Sequence, residues 1–399
     1  MSFIVTKTGS SFQCILPPCI VFGAGVAAKA AEQAKNLGIS KALVVTDKGL
    51  VDTEGFKSLI ETLKAAKLNH VVWSKVKADP PDTSIAETAE AYKKEGCDGI
   101  IAFGGGSSID TAKCAGVEAL NGGKVNDYGS LSPKPLPINK MPPLITIPTT
   151  AGTGSEITPF AVITDTSKQI KFFLANPILF AKVSLIDPNL TISLPPYQTA
   201  STGMDAFTHA VEAYISNLEN PISDAFAFYA VELVAQNLRR AVYDGGDIEA
   251  RTNMALASIM GGLALVNGMV CAPHCVGEPI GARYHVAHGT TCALTLPAGL
   301  EYLRPARQEK LAKLAQAMGV NTEKMTEVEA ARAFIGEVTQ LINDIGIPTL
   351  VEATGMKESD VAAVAELCFT HACNQFNPRP CTVESYVEIL KETLRMCSS

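Results

Sequence analysis

Two short apolar runs, Ala42-Leu43-Val44-Val45-Thr46-Asp47 and Gly99-Ile100-Ile101-Ala102-Phe103, frame a helical pattern at Ser84-Ile85-Ala86-Glu87-Thr88-Ala89-Glu90-Ala91-Tyr92. The first run ends in a turn and the second in three glycines. This rhythm of strand, helix and strand is the strongest restriction the chain imposes on its own fold, because it demands a parallel sheet with helices on its faces. Leu144-Ile145-Thr146-Ile147-Pro148 adds a further strand, leading into a loop rich in Thr and Gly. After Asp187-Pro188-Asn189 and Leu194-Pro195-Pro196 the strand signals fade. Long patterns rich in Ala, Leu and Met follow, as at Ala225 to Leu238 and Arg251 to Leu265. We therefore expect an α/β domain over residues 1–190 and an all-helical domain over residues 191–399.

At 399 residues and 47% hydrophobic, the chain can bury a large core in two such domains. Its 33 Lys and Arg against 40 Asp and Glu leave a net charge of -7, with no electrostatic footprint for nucleic acid. Every apolar stretch is soon broken by Gly, Pro or a charge, so no membrane span is expected. The opening MSFIVTKTGSSF lacks the basic and apolar blocks of a signal peptide. Eleven scattered cysteines, Cys397 among them, read as reduced and mostly buried thiols of a cytoplasmic protein. Cys271 and Cys275 have no second pair to complete a zinc knuckle, and read as packing residues.

The second run continues as Gly104-Gly105-Gly106-Ser107-Ser108-Ile109-Asp110-Thr111-Ala112-Lys113, a glycine turn and a helix start. Glycines let backbone approach a ligand closely, and the N–H groups at a helix start attract phosphate. The same residues also suit a tight connection with no ligand, since they lack the spaced-glycine dinucleotide fingerprint. Thr149-Thr150-Ala151-Gly152-Thr153-Gly154-Ser155-Glu156 follows another strand and supplies small hydroxyls and room. Two such loops at the ends of strands of one sheet favour a nucleotide crevice. Asp47 closes its strand, either as a ribose acceptor or as an ordinary turn residue.

In the helical half, Thr202-Gly203-Met204-Asp205-Ala206-Phe207-Thr208-His209-Ala210-Val211-Glu212-Ala213-Tyr214 places a carboxylate and an imidazole four residues apart on one helix face. The segment is otherwise apolar, and a buried carboxylate needs a partner. His274, His285 and His288 crowd into one later stretch, while His70 and His371 stand apart. Imidazole and carboxylate without a thiolate suit iron(II), zinc, cobalt or manganese.

With these residues in view, the chain resembles the iron-containing, group III alcohol dehydrogenases. GGGSSIDTAK, TTAGTGSE, TGMDAFTHAVEAY, two histidines fourteen apart ending in HG, and Asn377-Pro378-Arg379 occur in the family's order over nearly the whole chain. The resemblance implies a Rossmann-like dinucleotide-binding domain followed by an all-α domain, in a dehydroquinate synthase-like architecture. It implies metal ligation by Asp205, His209, His274 and His288, with Fe(II) or alternatively Zn, and NAD(H) as cofactor. Gly104, Gly105, Gly106 and Ser107 match the pyrophosphate loop, and Thr149, Thr150, Thr153 and Ser155 match positions lining the cofactor. Lys171 matches a lysine near the nicotinamide, Asp47 an acidic residue that accompanies NAD preference, and Phe160, Leu265 and Cys373 positions facing substrate. A cytoplasmic homodimer or higher homo-oligomer, acting on a small alcohol or aldehyde, completes the expectation.

The chain departs from the family pattern at two positions. Glu278 stands where many members carry a histidine implicated in proton relay; it can relay protons itself, approach the metal, or pair with a cation. Arg283 replaces a frequent aromatic residue, with His285 nearby as another candidate relay. Pairing of Arg283 with Glu278 is the first expectation, and bidentate capture of a substrate carboxylate or sulfonate the second. The reaction expected is hydride transfer between a short primary alcohol and NAD. The rivals are an anionic-aldehyde reductase, a metal-free maleylacetate-type reductase, an NAD-dependent lyase or cyclase, and a non-catalytic nucleotide-binding protein.

Overall fold

The protein is described by a computed structural model covering residues 11–168 and 170–396. Residues 1–10, which include most of the N-terminal stretch read for a leader, and Cys397 lie outside the described residues. The chain divides into two compact units, residues 16–193 and residues 194–396, the second joined by residues 11–15. Ile15 is tied into that second unit by a reciprocal pair of hydrogen bonds with the Asn267 side chain, at 2.7 and 3.0 Å.

The first unit contains eight strands among its described residues: β1 (Ile20–Phe22), β2 (Lys41–Asp47), β3 (Asn69–Val76), β4 (Gly99–Gly104), β5 (Leu144–Pro148), β6 (Phe160–Asp165), β7 (Ile170–Ala175) and β8 (Val183–Ile186). Its α-helices are α1 (Ala30–Asn36), α2 (Glu54–Ala65), α3 (Asp82–Lys94) and α4 (Gly106–Asn121). Six strands form a wholly parallel sheet in the order β1-β8-β5-β4-β2-β3. Side chains alternate across its two faces as the pleat requires. Ala42, Val44, Ile101 and Phe103 pack with Phe56, Leu59 and Leu63 of α2. Leu43, Val45, Ile100 and Ala102 pack with Tyr92 of α3 and Ile109 and Ala112 of α4. With both faces covered, β4 is buried along its whole length, which is why its sequence is apolar without interruption. After β2 the chain lays β3 on one side and then β4 on the other, so the order reverses between β2 and β4. Ligands of open α/β sheets bind at such a reversal, beyond the carboxyl ends of the strands. β6 and β7 form a separate antiparallel hairpin.

The second unit is helical throughout its described residues: α5 (Pro196–Ile215), α6 (Pro221–Tyr243), α7 (Ile248–Gly268), α8 (Ala272–Tyr284), α9 (His288–Ala317), α10 (Glu327–Asp344), α11 (Leu350–Thr354), α12 (Val361–Phe369) and α13 (Val383–Met396). α5 is central. It starts on proline, which suits the first turn, and is buried on every side because α6, α7 and α9 pack around it. Its carboxyl end is held by Arg307, which donates to the carbonyls of Ile215 and Ser216 at 2.9 and 3.1 Å. Lys310 donates to the Tyr214 carbonyl at 2.6 Å. Cations belong at that end of a helix. Gly261 lets α7 approach α5 closely, for a Cβ there would stand 2.7 Å from the Ala206 carbonyl oxygen.

The α/β unit followed by an all-helical unit is the fold class the sequence implies. Because backbone cannot yield as a flexible side chain does, Gly261→Ala is expected to destabilise the protein by about 1–3 kcal/mol in urea unfolding. An unchanged midpoint would show that α5 and α7 can separate without loss.

Candidate metal centre

α5 supplies Asp205 and, one turn on, His209; α8 supplies His274 in its first turn; α9 opens on His288. One donor atom from each of the four converges so that all lie within 4.8 Å of one another. Asp205 Oδ1 is 3.6 Å from His209 Nε2, 3.9 Å from His274 Nε2 and 3.4 Å from His288 Nε2. Metal–ligand bonds near 2.1 Å at tetrahedral angles separate neighbouring donors by about 3.4 Å, so the spacing fits one shared divalent ion. Asp205 Oδ1 and His274 Nε2 are buried without a hydrogen-bond partner among the described residues. Buried polar atoms are ordinarily paired, and a cation at the focus would satisfy both.

Burial drives the His209 imidazole down to about 4, leaving it in the neutral form that ligates metals. Burial works against the Asp205 carboxylate, but His209, His288 and His274 hold it below the usual range. At His288 burial is outweighed by Cys292 and Asp205, which lift it to about 9. Behind His274, the buried carboxylate of Glu212 meets Nδ1 at 2.5 Å.

The expected pairing of Glu278 with Arg283 is not what the fold makes. Glu278 is bound by His371 Nε2 at 2.8 Å, and burial of its carboxyl is outweighed by His371, which holds it well below the ordinary range. Five residues apart on α8, positions 278 and 283 face directions about 140° apart. Arg283 is exposed, lies over the Tyr284 ring at 5.9 Å, and acts electrostatically on Asp360. His371, which stands apart in the sequence, caps the turn Ala372–Phe376: its Nδ1 accepts from the Cys373 backbone N–H at 3.2 Å and lies 3.5 Å from Cys275 Sγ. Cys373 is buried and Leu265, on α7, is half-buried. His285 is exposed at the left-handed residue ending α8.

In the first unit the two glycine-rich loops meet. Thr149 N donates to the Gly104 carbonyl at 3.1 Å. A Cβ on Gly105 would stand 3.1 Å from Thr150, and one on Gly106 would stand 2.8 Å from Thr153. Gly104, at φ 145°, turns the chain into α4, whose start has no side-chain cap. Asp47 ends β2 on the other side of the order reversal, its Oδ1 accepting from Gly49 N at 2.8 Å. Lys171, on β7, is ion-paired with Asp79 at 2.6 Å, and half-buried Phe160 opens β6.

Three residues outside the expected set hold this region. Lys113 is fully buried and donates to the carbonyls of Ser155, Thr158 and Phe160 at 2.6, 2.8 and 2.6 Å. Burial pulls its ammonium down to about 8, with Asp110 opposing. Asp110 accepts from Ser155 Oγ at 2.5 Å and from Val162 N at 2.9 Å. Glu156, buried beside them, is pushed by burial up to about 7. Asp110 and Lys113 lie within the glycine motif itself, three residues apart, which was the available signal.

Residues 17–188 match the family described as iron-containing alcohol dehydrogenase, and residues 199–394 match its C-terminal counterpart, the Fe-containing alcohol dehydrogenase family, C-terminal. The chain is 40% identical over 381 residues to a choline dehydrogenase of Bacillus subtilis, covering 96% of this chain and 94% of that protein. It is 36% identical over 379 residues to the NAD-dependent methanol dehydrogenase of Bacillus methanolicus, covering 95% and 99%. A crystal structure of 1,3-propanediol oxidoreductase superposes with a TM-score of 0.93 at 36% identity, over 96% of this chain and all (100%) of that one.

Removing the buried ammonium strands three carbonyls together. Lys113→Met is therefore expected to cost about 3–5 kcal/mol of stability in urea unfolding. A loss below about 1 kcal/mol would mean that water or another donor replaces it.

Proposed function

This chain belongs to the iron-containing alcohol dehydrogenase family and is an NAD-dependent oxidoreductase of alcohols and aldehydes; from that premise we propose that Asp205, His209, His274 and His288 hold its catalytic metal, Fe(II) or alternatively Zn, and that it interconverts a short-chain primary alcohol and its aldehyde. The observation carrying this is the convergence of those four donors on one point, with Asp205 Oδ1 and His274 Nε2 otherwise unpartnered among the described residues. A divalent ion bound there supplies Lewis acidity toward the alcohol or carbonyl oxygen.

The chain's own residues do the rest. The Gly104–Ser107 loop and the start of α4 present backbone N–H groups to the pyrophosphate, while Thr149, Thr150, Thr153 and Ser155 line the same crevice. Asp47 accepts from the adenosine ribose and repels an added 2′-phosphate. In the α/β unit Lys171 is assigned to the nicotinamide end of the cofactor and Phe160 to substrate, and in the helical unit Leu265 and Cys373 are assigned to substrate. Glu278, held by half-buried His371 at 2.8 Å, or His285 passes the hydroxyl proton outward.

A neutral substrate is favoured over an anionic one because Arg283 is exposed and stands with Asp360 and Tyr284. The ten described cysteines are all free thiols, which supports a cytoplasmic location. No single helix among the described residues is long and apolar enough to cross a membrane. Assembly as a homodimer or larger homo-oligomer is our expectation, to be read from light scattering.

The deciding assay is NADH consumption by iron- or zinc-loaded protein over neutral, anionic and quaternary-ammonium aldehydes. Turnover highest on neutral short aldehydes supports the proposal, and turnover confined to anionic ones would replace it with the Arg283 reading. His274→Ala is expected to release the metal in elemental analysis and to lower turnover by more than about 100-fold. Full metal content in that variant would remove His274 from the ligand set. Asp47→Gly is expected to raise the NADP/NAD ratio of kcat/KM on the order of tenfold. An unchanged ratio would leave Asp47 as a turn residue.

A further inference from the structure

Glu212 is seven residues beyond Asp205, hence two turns along the same face of α5, and it is 0% exposed. A carboxylate so placed should have a cationic partner. Among the described residues no Lys or Arg is paired with it; its ion pair is with His274. Oε1 meets His274 Nδ1 at 2.5 Å, and Oε2 accepts from Cys271 N at 2.5 Å and, more distantly, from His274 N at 3.4 Å. Those two amides belong to the start of α8, where Cys271 contributes no side-chain cap and Pro273 has no N–H to offer. One carboxylate on the helix that bears Asp205 and His209 therefore caps the helix that bears His274.

Resting on the metal reading above, we infer that Glu212 is the positioning residue of the metal site, fixing both the tautomer and the pose in which His274 presents Nε2. The carboxylate accepts from Nδ1–H, so in the neutral imidazole the proton stays on Nδ1 and the Nε2 lone pair is left for the ion. That Nε2 is one of the buried atoms at the focus without a hydrogen-bond partner among the described residues. Neither other imidazole is supported in this way. Among the described residues His209 Nδ1 is buried without a hydrogen-bond partner, and His288 Nδ1 lies 3.8 Å from Cys292 Sγ. Of the three, His274 is the ligand whose orientation is set before an ion arrives.

The test is Glu212→Gln in the full-length protein, with Co(II) as the probe. The amide keeps the side chain's size but can no longer accept from both Nδ1–H and Cys271 N–H. The Co(II) dissociation constant, read by chelator competition, is expected to rise 10–100-fold, and the visible d–d spectrum to change. A helix cap with no part in positioning would lower the melting temperature of the metal-free protein while leaving Co(II) affinity and spectrum as in wild type, and that result overturns the inference. Glu212→Asp, whose shorter reach also breaks the double contact, serves if the amide variant does not fold. Long-range nitrogen–proton NMR on histidine-labelled metal-free protein gives a second reading. At a pH where that imidazole is neutral, the signal that disappears in His274→Ala should show a single Nδ1–H tautomer in wild type and a mixture in the Glu212 variant. A mixture in wild type overturns the inference. Failure of wild type to bind Co(II) sinks the metal reading alone, because the tautomer measurement needs no metal.

Discussion

An ionised carboxylate inside an apolar helix is the constraint around which the helical unit is organised. Asp205 is 2% exposed, and the charge it carries is costly to hold away from water. The fold answers by bringing three imidazoles to it from three helices rather than by supplying a Lys or Arg. A permanent cation would have closed the account in itself, with an ion pair whose charge is spent. Imidazoles can give up their protons and turn lone pairs toward a shared ion, so the cluster is suited to a divalent ion. The burial of α5 on every side, the close approach of α7 at Gly261 and the cations at the α5 carboxyl end keep these groups in place.

The α/β unit solves a different problem with other means. There the proposed binding surface is made of backbone, at the point where the strand order reverses. Asp47 and the glycine turn flank that reversal on adjacent strands, β2 and β4, and the second loop follows from β5. The glycines matter because threonines of the neighbouring loop occupy the space their side chains would need. Absence of side chains thus does two jobs: it brings two loops together and leaves N–H groups open to a phosphate.

Much of this was legible in the sequence, and the exceptions have physical causes. β2, β4 and β5 announce themselves because strands buried on both faces are continuously apolar. β1 and β8 are only three and four residues long, and β3 is an edge strand with mixed exposure, so none gives a periodic signal. The i, i+4 spacing of Asp205 and His209 could be read directly, as could the crowding of His274 and His288. His371 could not be linked to Glu278, because 93 residues of chain separate them. Glu212 looked like any helical glutamate; its seven-residue offset from Asp205 was the clue. Arg283 and Glu278 seemed matched by charge and nearness in sequence, but helical geometry points them apart.

The anchoring of Lys113 and Asp110 in the loop after β5 has a thermodynamic consequence. The glycine turn opens α4, and these two side chains of the same helix hold the second loop at Ser155, Thr158, Phe160 and Val162. On the nucleotide reading proposed above, the crevice is therefore braced before any ligand arrives. The entropy lost in ordering it is charged to folding, and association with a dinucleotide is spared that penalty.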